Sequence, residues 1–177
     1  MIAIRAVLEE GGNRRDLALF NLAIDSKFGA CDLVALRVND VISPSGVVTR
    51  RTSVLQQKTS KAIRFEISER SRRMIAELLG ARLNQSVWLF PGRNLQRHLG
   101  VRQYARLVDR WVEAIGLDPA NYGTHSLRRT KVAHLYRETS NLRAVQLLLG
   151  HSSLEHTVRY LGFDLEDALT LSESLDL

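Results

Sequence analysis

The chain has 177 residues, of which 45% are hydrophobic and 25% charged, as in an ordinary globular protein with a sizeable core. Its formal net charge of +6 favours a polyanionic partner, and nucleic acid leads the candidates. The single cysteine, Cys31, excludes an intramolecular disulfide and a zinc site built mainly from cysteines, which fits a reducing cytoplasm. No stretch has the length of a membrane span, and the N-terminus does not read as a signal peptide.

The first quarter of the chain predicts helices. Residues 1–12 could form a short helix that two glycines end. Asn13 is a plausible N-cap for a second helix, because apolar residues recur on one face after it. A third, short helix is predicted from about residue 30 to 36.

A β-hairpin is predicted next. The segments 47–56 and 62–67 have the alternation of half-buried strands, and a polar turn at 58–61 separates them. Lys58 lies in this turn, where most lysines are simply solvated. Ser68 then caps a helix that runs to about Arg82.

The clearest apolar stripe runs from residue 101 to 115 and predicts a helix that packs on the core and ends before Pro119. Arg102, Arg106 and Arg110 recur along it at four-residue steps. Such a basic face is usually solvated, but it could also follow a DNA backbone.

Four more helices are predicted in the last third of the chain. They would run from residue 124 or 125 to about 137, from an Asn141 cap to the residue before Gly150, and from a Ser152 or Ser153 cap through Tyr160. Residues 164–174 predict a last, partly acidic helix.

This third also carries the residues that indicate chemistry. His125 and Arg128 form H-x-x-R, and residues three apart on a helix share a face. His151 closes the run L-L-G-H, and Tyr160 follows it nine residues later. An Arg fork matches two phosphate oxygens, and a Tyr hydroxyl beside it can act as a covalent nucleophile, so the set indicates a phosphate site. Each residue alone would more often be a cap or a packed side chain.

These motifs, at these intervals, resemble the catalytic domain of tyrosine recombinases, the phage integrase family, and most closely the short integrase-like proteins of bacterial mobile elements. The resemblance runs from about residue 14 to 166. It implies an α+β, mainly helical fold: the tyrosine-recombinase catalytic-domain fold with a small antiparallel β-hairpin. We expect a single domain over 1–177, with 1–12 a possible N-terminal extension and no separate core-binding domain.

The resemblance implies DNA strand breakage and rejoining through a 3′-phosphotyrosyl intermediate, with no metal or other cofactor. Tyr160 would be the nucleophile, and Arg128 would hold a phosphate oxygen. His125 and His151 would hydrogen-bond oxygens or handle the Tyr proton. In the family a catalytic lysine stands on a hairpin at a K-T-G-like turn, and Lys58 in Q-Q-K-T-S matches that place, with Lys61 the runner-up.

One position departs from the family pattern. Residues 28–41 resemble the segment in which a first catalytic Arg precedes a small residue, a Ser or Cys, an acidic residue and Leu. Asp32 takes the acidic place and would brace Arg128 or His125, whereas the Arg place falls on Gly29. Glycine supplies no charge to a phosphate.

Two nearby cations, Lys27 and Arg37, are not obvious replacements for that arginine. Three explanations of Gly29 therefore remain open: natural loss of the arginine, an engineered inactivating substitution, and a compensating Arg elsewhere. Other basic residues are candidates for contacts with DNA. The tentative phosphate-backbone contacts are Arg129, Lys131, Arg143 and Arg159.

The expected function is that of a cytoplasmic, DNA-binding, site-specific tyrosine recombinase that assembles as a dimer or tetramer on double-stranded DNA and is impaired by Gly29. The alternative is a recombinase-derived DNA-binding protein without cleavage activity. A type IB topoisomerase would relax supercoils without a paired site. A helix-turn-helix regulator would give no reason for Tyr160 nine residues after His151. His134 and His156 fit no role and are expected at the surface.

Overall fold

A computed structural model describes residues 1–58, 60–82, 86–162 and 173. Over these residues the chain is mainly helical with one two-stranded antiparallel sheet, which confirms the predicted fold class. None of the described helices is long and apolar enough to cross a membrane. The helices are α1 (Ile2–Glu10), α2 (Arg14–Ser26), α3 (Ala30–Val34), α4 (Glu69–Gly80), α5 (Val101–Glu113), α6 (Thr124–Thr139), α7 (Leu142–Leu149) and α8 (Leu154–Leu161), and the strands are β1 (Arg51–Leu55) and β2 (Ala62–Glu66).

The chain divides into two compact units at a point within α6. The first unit is Met1–Lys131 and the second is Val132–Leu177.

Helix α2 lies at the centre of the first unit. Asn13 caps it by accepting the Asp16 N–H, as predicted, and every residue from Asp16 to Ser26 is buried. Helix α1 contributes Ile4 and Leu8 to the same core, so residues 1–12 are part of this unit rather than a free extension.

Helix α5 packs its apolar stripe into the core of the first unit, and Trp111 meets the ring of Phe20 edge-on at 5.7 Å. Val101 was expected in the stripe but is 43% exposed, because it is the first residue of the helix. The three arginines on the other face are exposed.

The hairpin is shorter than predicted. Strand β1 begins at Arg51, because residues 47–49 pair with the preceding segment: the Ser43 N–H donates to the Val47 carbonyl, and Ile42 bridges to Val48. The register pairs Arg51 with Glu66 and Leu55 with Ala62. Ile63 and Phe65 of β2 are buried and attach the hairpin to the core.

The second unit has a small core around Val132, Val145 and Leu149. Asn141 caps α7, Gly150 ends it with φ of 70°, and Ser153 caps α8. These caps match the predicted ones. The acidic helix predicted at 164–174 lies outside the described residues, apart from residue 173.

Candidate active site

Helix α6 carries the H-x-x-R pair. Its first turn is closed by Ser126, whose N–H donates to the Gly123 carbonyl and whose Oγ accepts the Gly123 N–H. Leu127 is buried in the core of the first unit, which fixes the rotation of the helix. Arg128 is half-buried, while His125 is exposed.

Position 29 lies beside Arg128. A Cβ added to Gly29 would lie 3.9 Å from Arg128 Nη1, 3.9 Å from Asp32 Oδ2 and 3.8 Å from Cys31 Sγ, all ordinary contacts. The backbone there is extended, with φ −64° and ψ 157°, a conformation that any residue adopts. Neither space nor conformation requires glycine at this position.

Asp32 joins the first turn of α3 to the hairpin. Its carboxylate is buried, and Oδ1 accepts the backbone N–H of Gln57 at 2.9 Å. Gln57 directly precedes Lys58, so the carboxylate braces the turn that carries the lysine. The sequence had suggested a brace for Arg128 or His125, and this hairpin partner was not anticipated.

Lys58 is exposed on that turn. The base of the turn is closed by the Gln56 N–H on the Lys61 carbonyl and the Ser60 N–H on the Gln56 carbonyl, both 2.9 Å. Lys61, the runner-up, is exposed as well. Thr59, the second residue of the K-T-S motif, lies outside the described residues.

Within the second unit, Tyr160 packs against His151. The two rings meet edge-on, with centroids 5.4 Å apart and planes at 81°. Tyr160 is half-buried against the small core of this unit, so its ring is held from two sides. The histidine backbone is fixed by Gln146, whose carbonyl accepts the His151 N–H at 3.2 Å and whose Nε2 donates to the His151 carbonyl at 3.1 Å.

The His151 ring is hydrogen-bonded to Thr157. The buried Thr157 hydroxyl donates to the Ser153 carbonyl at 3.3 Å and lies 3.2 Å from His151 Nδ1. A hydroxyl has one proton to donate, so its contact with Nδ1 is made as an acceptor. We therefore assign the proton of the neutral ring to Nδ1 and the lone pair to Nε2.

The model of the phage integrase family matches residues 3–165. The chain belongs to this family. It is 30% identical over 152 residues to the probable integrase/recombinase YoeC of Bacillus subtilis, covering 86% of this chain and 80% of that protein. It is also 30% identical to the tyrosine recombinase XerC of Thermodesulfovibrio yellowstonii, covering 86% of this chain and 52% of that protein. The chain thus spans about half the length of the XerC protein.

Solved structures show the same fold. The crystal structure of XerA recombinase superimposes with a TM-score of 0.75 and 16% identity, covering 97% of this chain and 62% of that one. A lambda integrase dimer bound to a COC′ core site gives a TM-score of 0.64 at 19% identity, covering 90% of this chain and 45% of that one. This phage integrase family chain therefore has the catalytic-domain fold of tyrosine recombinases.

The predicted site residues of this phage integrase family chain are divided between its two units. Gly29, Asp32, Lys58, His125 and Arg128 belong to the first unit, in which Gly29, Asp32 and Arg128 converge on one point. His151 and Tyr160 belong to the second unit and are in contact. Over the described residues, no group of three or more His, Cys, Asp or Glu side chains could hold a metal ion.

The tentative DNA contacts differ in their surroundings. Arg129 is exposed, and Arg159 is exposed with an ion pair to Glu155 on its own helix. Arg143 donates to Gln146 Oε1 at 2.5 Å. Lys131 instead points into the first unit. His134 and His156 are exposed, as expected.

Sequence reasoning missed a partly buried ion cluster formed by Asp25, Lys27, Glu66 and Lys131. Asp25 and Lys27 are buried, whereas Glu66 and Lys131 are partly exposed. Glu66 Oε1 accepts both ammonium groups, at 2.8 Å from Lys27 and 2.7 Å from Lys131. Lys131 also reaches Asp25 Oδ1 at 3.1 Å. The one available signal was Lys27, a charged residue that directly follows a helix of the core and precedes Phe28.

The cluster shifts the pKa values of its members. Burial alone would raise the pKa of Glu66, but hydrogen bonds from Lys131 and Lys27 outweigh burial and lower that pKa to about 2. Burial likewise opposes charge on Lys131, yet its two carboxylate partners raise its pKa. For Lys27 burial prevails and lowers the pKa, despite the contact with Glu66.

Lys27 does not stand in for the arginine that the resemblance implies at position 29, because its ammonium is committed to Glu66 and its side chain is only 1% exposed. Arg37 lies elsewhere, with its guanidinium 5.3 Å from the centre of the Trp88 ring. Neither cation approaches position 29 in the way that Arg128 does.

Proposed function

We propose that the chain binds duplex DNA, assembles on it, and takes part in strand breakage and rejoining as a tyrosine recombinase with weakened cleavage. The observation that carries this proposal is the position of Gly29 beside Arg128 and Asp32. If the family's first arginine stood there, its side chain would start next to the second arginine. Glycine removes one of two cations expected on the same phosphate.

The chemistry is covalent catalysis. Tyr160 Oη would attack the scissile phosphorus, a phosphotyrosyl bond would form at the 3′ side, and the bond from phosphorus to the 5′ oxygen would break. The tyrosine proton would pass to His125 or His151, and Nε2 carries the lone pair of His151 in our assignment. Lys58 would protonate the leaving 5′ oxygen. A second DNA hydroxyl would then reverse these steps and reseal the strand.

The absence of a cation at position 29 would weaken stabilisation of the transition state. Negative charge spreads over the non-bridging phosphate oxygens, and preorganised cations stabilise it. Arg128 would provide one two-pronged contact, while position 29 provides none. Removing one such donor commonly costs about a hundred- to a thousandfold in rate. Binding to the phosphate backbone depends on many cations, so we expect it to be largely retained.

The second candidate is a DNA-binding protein that no longer cuts. Gly29 favours it too, since complete loss of one charge could leave cleavage below any useful rate. Arg129, Arg143 and Arg159 would supply phosphate contacts in either case. The two candidates differ only in whether Tyr160 can still form an adduct.

Covalent trapping separates the two candidates. The native chain and the variants Gly29→Arg and Gly29→Met are incubated with nicked duplexes made from DNA that flanks the gene, and denaturing gels reveal a protein–DNA adduct. Methionine matches the bulk of a long side chain without its charge. We expect Gly29→Arg to form adduct about a hundred- to a thousandfold faster than the native chain, and Gly29→Met to gain nothing.

Tyr160→Phe in each background identifies the nucleophile, because an adduct that persists in the phenylalanine variant does not use Tyr160. A native adduct that Tyr160→Phe abolishes would favour the recombinase. An adduct seen only with Gly29→Arg would favour the binding protein with an intact remainder of the site. A Gly29→Arg variant no faster than the native chain would refute the role assigned to position 29.

A further inference from the structure

The ion cluster of Asp25, Lys27, Glu66 and Lys131 contains features that cost the first unit free energy. Lys27 holds a left-handed backbone, with φ of 58°, although it is not glycine, and its ammonium is removed from water. A buried ion pair of this kind often adds little to stability compared with apolar packing. The consequence that its contacts show directly is geometric.

The cluster fixes the position of helix α6. Lys131 follows Arg128 by three residues, so both side chains leave the same face of the helix, one turn apart. Arg128 points toward position 29, and Lys131 reaches Asp25 at the end of α2 and Glu66 at the end of β2. Two salt bridges to two different elements fix both the rotation and the height of this turn.

We infer that Lys131 is a positioning residue for Arg128, holding the guanidinium beside position 29 through its salt bridges to Asp25 and Glu66, and is not a DNA contact. The sequence had suggested a phosphate-backbone role for Lys131. In the structure its charge is balanced by two carboxylates, whereas its neighbour Arg129 is exposed. The consequence for strand cleavage rests on the proposed function, but the positioning itself does not.

Asp25 is itself fixed, which makes it a firm anchor. Its Oδ2 accepts the Ser68 N–H at 2.8 Å and the Ser71 hydroxyl at 2.5 Å, at the start of α4. The other oxygen, Oδ1, receives Lys131. Through this carboxylate, Lys131 ties α6 to both α2 and α4.

Cys31 offers a reporter of Arg128 that does not require DNA. It is the chain's single cysteine, it is free, and its Sγ and Arg128 Nη1 both lie within 4 Å of the same point at position 29. A guanidinium there attracts an anionic thiol reagent but not a neutral one. The ratio of the two reaction rates cancels changes in thiolate fraction and reports the nearby charge.

The experiment measures the rates of Cys31 with dianionic dithionitrobenzoate and with neutral dithiodipyridine at low salt, in variants that circular dichroism shows to be folded. Arg128→Met should lower the anionic-to-neutral ratio about two- to fivefold. Lys131→Met should lower it in the same direction, and the double variant should fall no further than Arg128→Met alone. Lys131→Arg should keep the native ratio, and so should Arg129→Met, the matched exposed neighbour.

Two results would overturn the inference. The first is an anionic-to-neutral rate ratio in Lys131→Met that equals the native one, while Arg128→Met lowers it. The second is a double variant whose ratio falls by the full effects of both single changes, which would make Lys131 a separate charge near Cys31. An unchanged ratio in Arg128→Met would refute the geometry itself. If Lys131→Met does not fold, Glu66→Gln weakens the cluster from the strand side and should lower the ratio as well.

Salt dependence of DNA binding provides a second measurement. Loss of one phosphate contact reduces the slope of log affinity against log salt by about 1. Lys131→Met should leave the slope unchanged, and a reduction by about 1 would contradict its place in the cluster. A chain that binds no DNA at all would refute the proposed function, while the Cys31 ratios would still test the positioning.

Discussion

The two units hold their candidate catalytic groups in different ways. In the first, Arg128 lies on a helix that is anchored by Leu127 in a large core and by Lys131 in an ion cluster. In the second, Tyr160 lies on the eight-residue helix α8. It packs against a small core in which three of the described residues are buried, Val132, Val145 and Leu149. Local stability follows the number of buried apolar contacts, so Arg128 has the firmer support.

This difference fits the roles that we propose for Arg128 and Tyr160. A cation that stabilises a transition state must be in place before the charge develops, because moving it during the reaction would cost the advantage of preorganisation. A nucleophile needs only to reach phosphorus at the moment of attack. The His151 ring is hydrogen-bonded to Thr157, and the His151 backbone is hydrogen-bonded to Gln146. These contacts provide local order for Tyr160 where the core is small.

Truncation of core side chains tests this comparison of the two units, and it has the largest expected effect on stability. Phe20→Ala, at a fully buried position against Trp111, should lower the free energy of unfolding of the first unit by about 3–5 kcal/mol. Leu149→Ala should cost about 2–3 kcal/mol, since a small core can partly collapse around the cavity. Hydrogen exchange by mass spectrometry should find lost protection in α2 for the first variant and in α7 and α8 for the second. Equal losses in both units for either variant would show that they do not differ as described.

Acid should weaken the first unit through the ion cluster. The folded pKa of Glu66 is about 2, below its usual value, so its stabilisation is present above about pH 4.5 and is lost as pH falls toward 2. Asp25, with a lowered pKa, acts in the same direction. Glu66→Gln should be less stable at pH 7, because Lys27 loses its partner, and should lose less stability between pH 5 and pH 3.

Urea unfolding at a series of pH values measures this dependence. Glu77→Gln, at an exposed position on α4, is the matched control and should keep the native pH profile. An unchanged acid loss in Glu66→Gln would mean that other carboxylates cause it.

Thr157→Val tests the support of Tyr160 with the smallest expected effect. The change keeps the shape of the buried side chain but removes its hydrogen bond to His151, at a cost of about 0.5–1.5 kcal/mol. Nitrogen NMR of the His151 ring should show a proton on Nδ1 in the native chain and a mixture of tautomers in the variant. Thr139→Val, on the exposed end of α6, should leave the ring signals unchanged, and a native ring protonated on Nε2 would contradict the assignment.

Local signals in the sequence predicted most of the elements. The caps at Asn13, Ser68 and Asn141 and the stop at Gly150 were correct, because a cap depends on a few neighbouring residues. The first strand was predicted too long. Residues 47–49 have the composition of a strand, but their backbone partners lie in the preceding segment, which no local pattern reveals.

The sequence by itself determined the family, the fold class and the identity of the candidate catalytic residues, because these depend on residue types at fixed intervals. It also has Gly29 at the position where the resemblance implies the family's first arginine. Only the tertiary structure decided that Gly29 faces Arg128, that Asp32 braces the turn before Lys58, and that Lys131 points inward. These facts join residues that are distant along the chain, and such contacts depend on how whole elements pack rather than on any local pattern.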